Sequence, residues 1–102
     1  MTGTEKQIKL AEDILAKASN HISIMVDYCK SNKAYASQLP AWEYMSERYA
    51  IMFRAEQFQS AKFVIDHRDN IIFRTDDVMS RIETVSRNTG VTMVEAAKKV
   101  IG

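Results

Sequence analysis

One hundred and two residues, 46% hydrophobic and 26% charged, suffice for one domain with a single core and are too apolar for a disordered chain. Fourteen basic residues against thirteen acidic ones leave a net charge of +1, which excludes both the basic footprint of a duplex-binding module and an acidic mimic of DNA. A single cysteine cannot close an internal disulfide, and the apolar runs fall far short of the roughly 20 residues of a membrane span, so the composition predicts a soluble cytoplasmic protein with no membrane segment and no signal peptide.

Three glycines and one proline build few turns, which favours helices over many short strands. Thr4-Glu5-Lys6-Gln7 has the form of a capping box. Behind it Ile8, Ala11, Leu15, Ala18, Ile22, Met25 and Cys29 recur at alternating steps of four and three, the stripe of an amphipathic helix. Ile14, His21, Tyr28 and Val26 flank that stripe. The helix is expected from Glu5 to Lys30, at ~39 Å long enough to cross a compact domain about 33 Å wide. Leu10 and Ile24 fall off the stripe, seven residues either side of Lys17. They are covered by a neighbouring helix or form a contact surface for another subunit; the second reading is the basis for expecting a homodimer.

Ser31-Asn32-Lys33 reads as the helix end, and Ser37 as the cap of a second helix with Pro40 in its first turn. That helix carries two apolar rows, Trp42-Met45-Tyr49-Met52 and Tyr44-Ile51-Ala55-Phe58, so it is placed at the centre between two neighbours. Continued to residue 67 it would reach about 43 Å, too long for the domain, and a break near Gln59-Ser60 is expected. Asp66 to Asn70 reads as a further end, with Asn70 in the left-handed capping conformation, and Ile71-Ile72-Phe73 as an apolar tether. Thr75-Asp76-Asp77 would cap the next helix, with Val78, Met79, Ile82 and Val85 as its buried row and Asn88-Thr89-Gly90 as its stop. Thr92 and Glu95 form a second capping-box pattern, stapled by Val91 and Ala96, before a short helix with Lys98 and Lys99 at its negative end. The expected fold is all-α, a single helical domain over 1–102: four to five helices, the long N-terminal one packed on a central helix with shorter C-terminal helices over them.

Little in this pattern carries chemistry. His67-Arg68-Asp69 spells a protein-kinase catalytic triplet, but no glycine-rich loop, no placed lysine and no room for that fold accompany it. The plain reading is a charged helix end with Arg68 paired to Asp66 or Asp69; the sharper one is a partner-binding cluster of Asp66, His67, Arg68 and Asp69. His21, His67 and Cys29 have no metal-ligand spacing, so no metal and no cofactor is expected. Cys29 on the buried stripe reads as a small hydrophobe, and a nucleophile pair would require His67 to fold onto it. Trp42, Tyr44, Arg48 and Tyr49, with Phe53 and Arg54 a turn on, could stack bases and hold phosphates or anchor a protein, although such spacing also suits a core.

Two segments resemble small uncharacterised proteins of bacteriophages and integrated mobile elements. They are Thr2-Gly3-Thr4-Glu5-Lys6-Gln7-Ile8 with Ala11-Glu12-Asp13-Ile14, and Ala61-Lys62-Phe63-Val64-Ile65-Asp66-His67-Arg68. Leu10 and Val64 stand where those proteins carry tryptophan. The resemblance implies a phage or prophage accessory protein and brings no catalytic residue. The expected function is therefore non-catalytic: binding, and so inhibiting or modulating, a host macromolecule such as a defence component. The candidate contacts are Leu10, Ile24, Trp42, Tyr44, Arg48, Arg54, Asp66, His67, Arg68 and Asp69. The alternatives are a nucleic-acid-binding accessory factor and a sponge for a small anionic nucleotide at a subunit interface.

Overall fold

A computed structural model describes residues 1–101, with the side chains of residues 72–74 outside the description. The chain is all-helical. Helix α1 runs Glu5–Ser31, α2 Leu39–Met52, α3 Ala61–Asp66, α4 Arg68–Thr89 and α5 Met93–Ile101, with 3₁₀ segments at Lys33–Gln38 and Glu56–Gln59. Among the described residues the only extended pairing is one isolated bridge, Thr2 with Ser60. No helix there is long and apolar enough to cross a membrane.

The capping box forms as its spacing demands. The Thr4 hydroxyl accepts from the Gln7 amide at 3.2 Å, and the Thr4 amide donates to Gln7 Oε1 at 3.0 Å. With two orphan amides satisfied, 27 helical residues follow without interruption. Thr4→Ala is expected to cost about 1 kcal/mol in urea unfolding, because it frees the Gln7 amide.

The domain measures 47 × 26 × 18 Å, longer and flatter than the compact globule expected, because α1 sets its long dimension. α1 packs against α2, α3 and α4, while α5 covers α2 and α4. The buried side chains fall into two clusters strung along α1. One joins Ile22 and Cys29 to Trp42, Met45, Val78, Met79, Ile82, Ala96 and Ala97. The other joins Ala11, Ile14 and Ala18 to Phe58, Ala61, Val64 and Ile71. Small residues let α3 come close: Ala11, Ala18 and Ala61 are fully buried or nearly so, and a Cβ on Gly3 would stand 2.9 Å from the Ala61 methyl.

Several local expectations are corrected. Ser37 does not cap α2; Gln38 stands at that position without a side-chain cap bond, and Pro40 is in the first turn. α2 ends at Met52, earlier than Gln59, and its second apolar row is only half covered, with Ile51 exposed. The cause is tertiary. Thr2 donates its amide to the Gln59 carbonyl (2.6 Å) and accepts from the Ala61 amide (2.9 Å), holding Ser60 extended beside the N-terminus between the 3₁₀ segment and α3. Ser60 then caps α3, its hydroxyl accepting from the Phe63 amide at 3.3 Å.

Asn70 does not take a left-handed cap, and residues 71–73 are not a tether. The chain turns at His67 and α4 begins at Arg68, so both lie inside that helix. Thr75 is likewise no cap but a buried residue within α4. Gly90 does stop α4, at φ 71°, with its amide on the Ser86 carbonyl. Thr92 accepts from the Glu95 amide at 3.2 Å to open α5.

Candidate functional site

Five rings run in series from α2 to the α3–α4 corner. Tyr49 stacks on Phe53, Phe53 tilts against Phe58, Phe58 meets Phe63 edge-on, and Phe63 stacks on His67 at 4.1 Å between centroids. Phe63 and His67 are four residues apart, so a helical turn places one ring over the other. The His67 Nδ1–H donates to the Phe63 carbonyl at 2.8 Å; a carbonyl only accepts, so the proton of the neutral ring is on Nδ1 and Nε2 remains an acceptor.

Four of these rings, all but Phe53, line a half-open cleft of about 330 Å³. Tyr49, Met52, Phe58, Phe63 and His67 line one side. Asn70, Ile71, Val78 and Arg81 line the opposite side from α4, and Val100 with Ile101 close the end from α5. The volume lies within the usual range for small-ligand pockets, about 300–1,000 Å³, and suits one inserted side chain or one ring system. Phe58, Ile71 and Val78 are buried in its floor, whereas His67, Asn70 and Arg81 are exposed at its mouth. Arg81 is only loosely held, with Nε 3.8 Å from Asp77 Oδ2.

The sequence-based candidates separate. Only His67 of the Asp66–Asp69 cluster lines the cleft; Arg68 and Asp69 are exposed in the first turn of α4. Asp66 pairs with Lys62 at 2.6 Å, not with Arg68. That hydrogen bond lowers the Asp66 pKa below its ordinary value and raises that of Lys62. The pair's contribution is therefore lost as the pH falls through the depressed Asp66 pKa, or rises through the elevated Lys62 pKa.

Trp42 is not a surface anchor. Its side chain is 1% exposed, and its indole N–H donates to Gln38 Oε1 at 3.1 Å. Arg54, in the turn after α2, reaches back onto that helix, donating from Nε to the Ala50 carbonyl. Arg48 and Tyr44 are half-buried and line separate shallow depressions, Arg48 beside Met52 and Ile101, Tyr44 beside Pro40 and Val94. The aromatic–arginine array is thus not assembled into one surface. Leu10 and Ile24 are 44% and 64% exposed on the outer side of α1.

Cys29 is 1% exposed in the first cluster, where burial pushes its thiol pKa up, and His67 sits against the second cluster. The two do not meet. Among the described residues no three His, Cys, Asp or Glu side chains converge to hold a metal.

Arg81, Asn70 and Phe63 are among the cleft residues absent from the sequence-based candidate contacts. Phe63 had a local signal in its spacing to His67. The other two become neighbours of the rings only because α4 is continuous through residue 75. No family model, curated protein or solved structure matches this chain. Fold and site together define an all-helical domain with an aromatic-walled cleft.

Proposed function

We propose that this chain is a non-catalytic accessory protein of phage or mobile-element origin, working in the bacterial cytoplasm as a homodimer that binds a host macromolecule and so inhibits or modulates it. The observation that carries this reading is the cleft between the Phe63–His67 stack and Arg81. An apolar floor with cationic and amide groups at its mouth suits an aromatic or aliphatic anchor side chain, and such buried anchors supply most of the binding energy in protein interfaces. The resemblance of the two segments supports the origin and the absence of chemistry, with host defence components as natural targets.

The test is to isolate the partner on tagged protein from bacterial lysate, then to measure its affinity for Asn70→Trp. The new indole would cover the cleft mouth from an exposed helix position. At least tenfold weaker binding, about 1.4 kcal/mol, is expected. Equal affinity overturns the cleft as the site. Substrate turnover abolished by His67→Ala overturns the non-catalytic reading.

A second reading, sequestration of a small anionic nucleotide, is favoured by the same stack, which offers a ring face, and by the loosely held Arg81. Mass spectrometry of small-molecule cargo separates it from the first. Nucleic-acid binding has less support, because Trp42 is in the core and Arg54 is bonded to the C-terminal turn of α2.

A further inference from the structure

The cleft is not an isolated hollow. It shares Arg81 and Val100 with a shallow depression that continues along α4 to Thr84 and Val85. It shares Tyr49, Met52 and Ile101 with a second one that opens onto Arg48 and Ile51 of α2. The two outer depressions have no lining residue in common, so the cleft is the middle of a three-part groove that passes the last turn of α5. On the α4 side Ile71, Val78 and Val85 are spaced by seven, which puts them on one face of the helix over about 21 Å. The groove also accounts for Ile51, 46% exposed near the end of α2, whose side chain lines the outer depression rather than the core.

Charge along this groove is one-sided. Arg48, His67 and Arg81 line it, and among the described residues no carboxylate does, although thirteen of the 102 residues in the chain are acidic. A separate depression between α2 and α5 is the opposite, lined by Glu43 and Glu47 and by no basic residue. Both groove arginines have donors to spare. Arg48 is half-buried and makes no ion pair with a described residue. Arg81 is exposed, and Asp77 stands 3.8 Å from its Nε, beyond hydrogen-bond reach, so the guanidinium keeps its N–H groups for another acceptor.

Half-open apolar hollows in series suit successive side chains of one chain, because a compact small molecule would fill one hollow and leave its neighbours wet. A nucleic-acid strand is held chiefly through phosphates along its length and through rings under its bases. Here apolar wall separates the two arginines, and the outer depressions are floored mainly by aliphatic side chains. The geometry points to an acidic peptide segment of the partner protein as the occupant. Its apolar side chains enter the cleft and the two adjoining depressions, and carboxylates on either side of the central anchor meet Arg48 and Arg81. A carboxylate offers arginine a planar, two-pronged acceptor, so the anchors supply the affinity and the charges select the partner. This rests on the reading of the cleft given above and adds the chemistry of the segment that fills it.

The test selects a displayed library of random peptides, about fourteen residues long to match 21 Å of helix, on the immobilised full chain. The enriched sequences are then measured as free peptides by fluorescence anisotropy. They are expected to carry an aromatic or aliphatic residue flanked by Asp or Glu and to bind with Kd of about 1–100 μM. Asn70→Trp should weaken them at least about tenfold, and Arg48→Glu and Arg81→Glu about fivefold each, in chains shown to be folded by circular dichroism. Glu43→Gln/Glu47→Gln, in the separate depression, should change nothing. Replacing the peptide carboxylates by amides should remove the effect of Arg81→Glu. Enriched peptides that lose affinity in Asn70→Trp but show no acidic preference, or that tolerate both charge reversals, overturn this inference and leave the cleft reading standing. Acidic peptides indifferent to Asn70→Trp overturn both. A library that yields no enriched sequence overturns the peptide occupant, and a twelve-nucleotide single strand that binds more tightly than any selected peptide overturns it in favour of nucleic acid.

Discussion

Trp42→Ala is expected to lower stability by about 3–5 kcal/mol, a large share of the roughly 5–15 kcal/mol available to a domain of this size. The indole is 1% exposed and joins three parts of the chain. Its ring and that of His21 in α1 meet in a T-shaped contact at 5.9 Å between centroids, and its N–H donates to Gln38, whose own amide donates to Glu83 of α4 at 3.0 Å. Truncation leaves a cavity in the first cluster and frees the Gln38 carbonyl in a half-buried setting, so transfer, packing and hydrogen-bond losses add. Trp42→Phe keeps much of the volume and loses the hydrogen bond; about 1–2 kcal/mol is expected. Because Trp42 is the single tryptophan, the transition is best followed by circular dichroism in urea. A loss below about 1 kcal/mol for the alanine variant would return Trp42 to the role of surface anchor.

The contrast between Trp42 and Thr4 shows which features the sequence carried openly. Thr4 and Gln7 cap a helix through atoms three residues apart, and Gly90 ends one through its own φ, so these boundaries were legible from local chemistry. Trp42 and Met45 were legible as core because a helical stripe repeats them. The break after Met52 was not. Nothing between Phe53 and Ser60 differs locally from helix-forming sequence; Thr2, more than 50 residues away, supplies the hydrogen bonds that hold Ser60 extended.

Asn70 and Thr75 misled for the converse reason. Asparagine and threonine favour caps when nothing else claims them. Here Ile71 and Thr75 are buried on α4, and tertiary packing overrides the local preference. The candidate site inherited that error. With a tether at 71–73, Arg81 belonged to a separate helix and could not be set against His67; with α4 unbroken, Asn70, Ile71, Val78 and Arg81 share one wall. Leu10 and Ile24 were legible as outliers because a stripe defines its own exceptions.

Phe58→Ala is the second large effect, about 3–4 kcal/mol, and it should act on the other end of the molecule. Phe58 is 5% exposed, lies between Phe53 and Phe63, and belongs to the cluster with Ala11, Ile14 and Val64 rather than to that of Trp42. Removing its ring takes one face from each neighbour and opens the cleft floor where the 3₁₀ segment meets α3. The pairing of Thr2 with Gln59 and Ala61 adjoins the 3₁₀ segment that carries Phe58, so the amides of Thr2 and Ala61 should exchange faster, while those of α5 keep their protection. Trp42 and Phe58 lie in different clusters, and substitutions without shared partners are close to additive. Trp42→Ala with Phe58→Ala should therefore cost about 6–9 kcal/mol, enough to unfold the domain without denaturant if its stability lies in the lower half of the usual range. A double variant that loses much less than the sum would mean that the clusters act as one core, and uniform loss of exchange protection in Phe58→Ala would say the same.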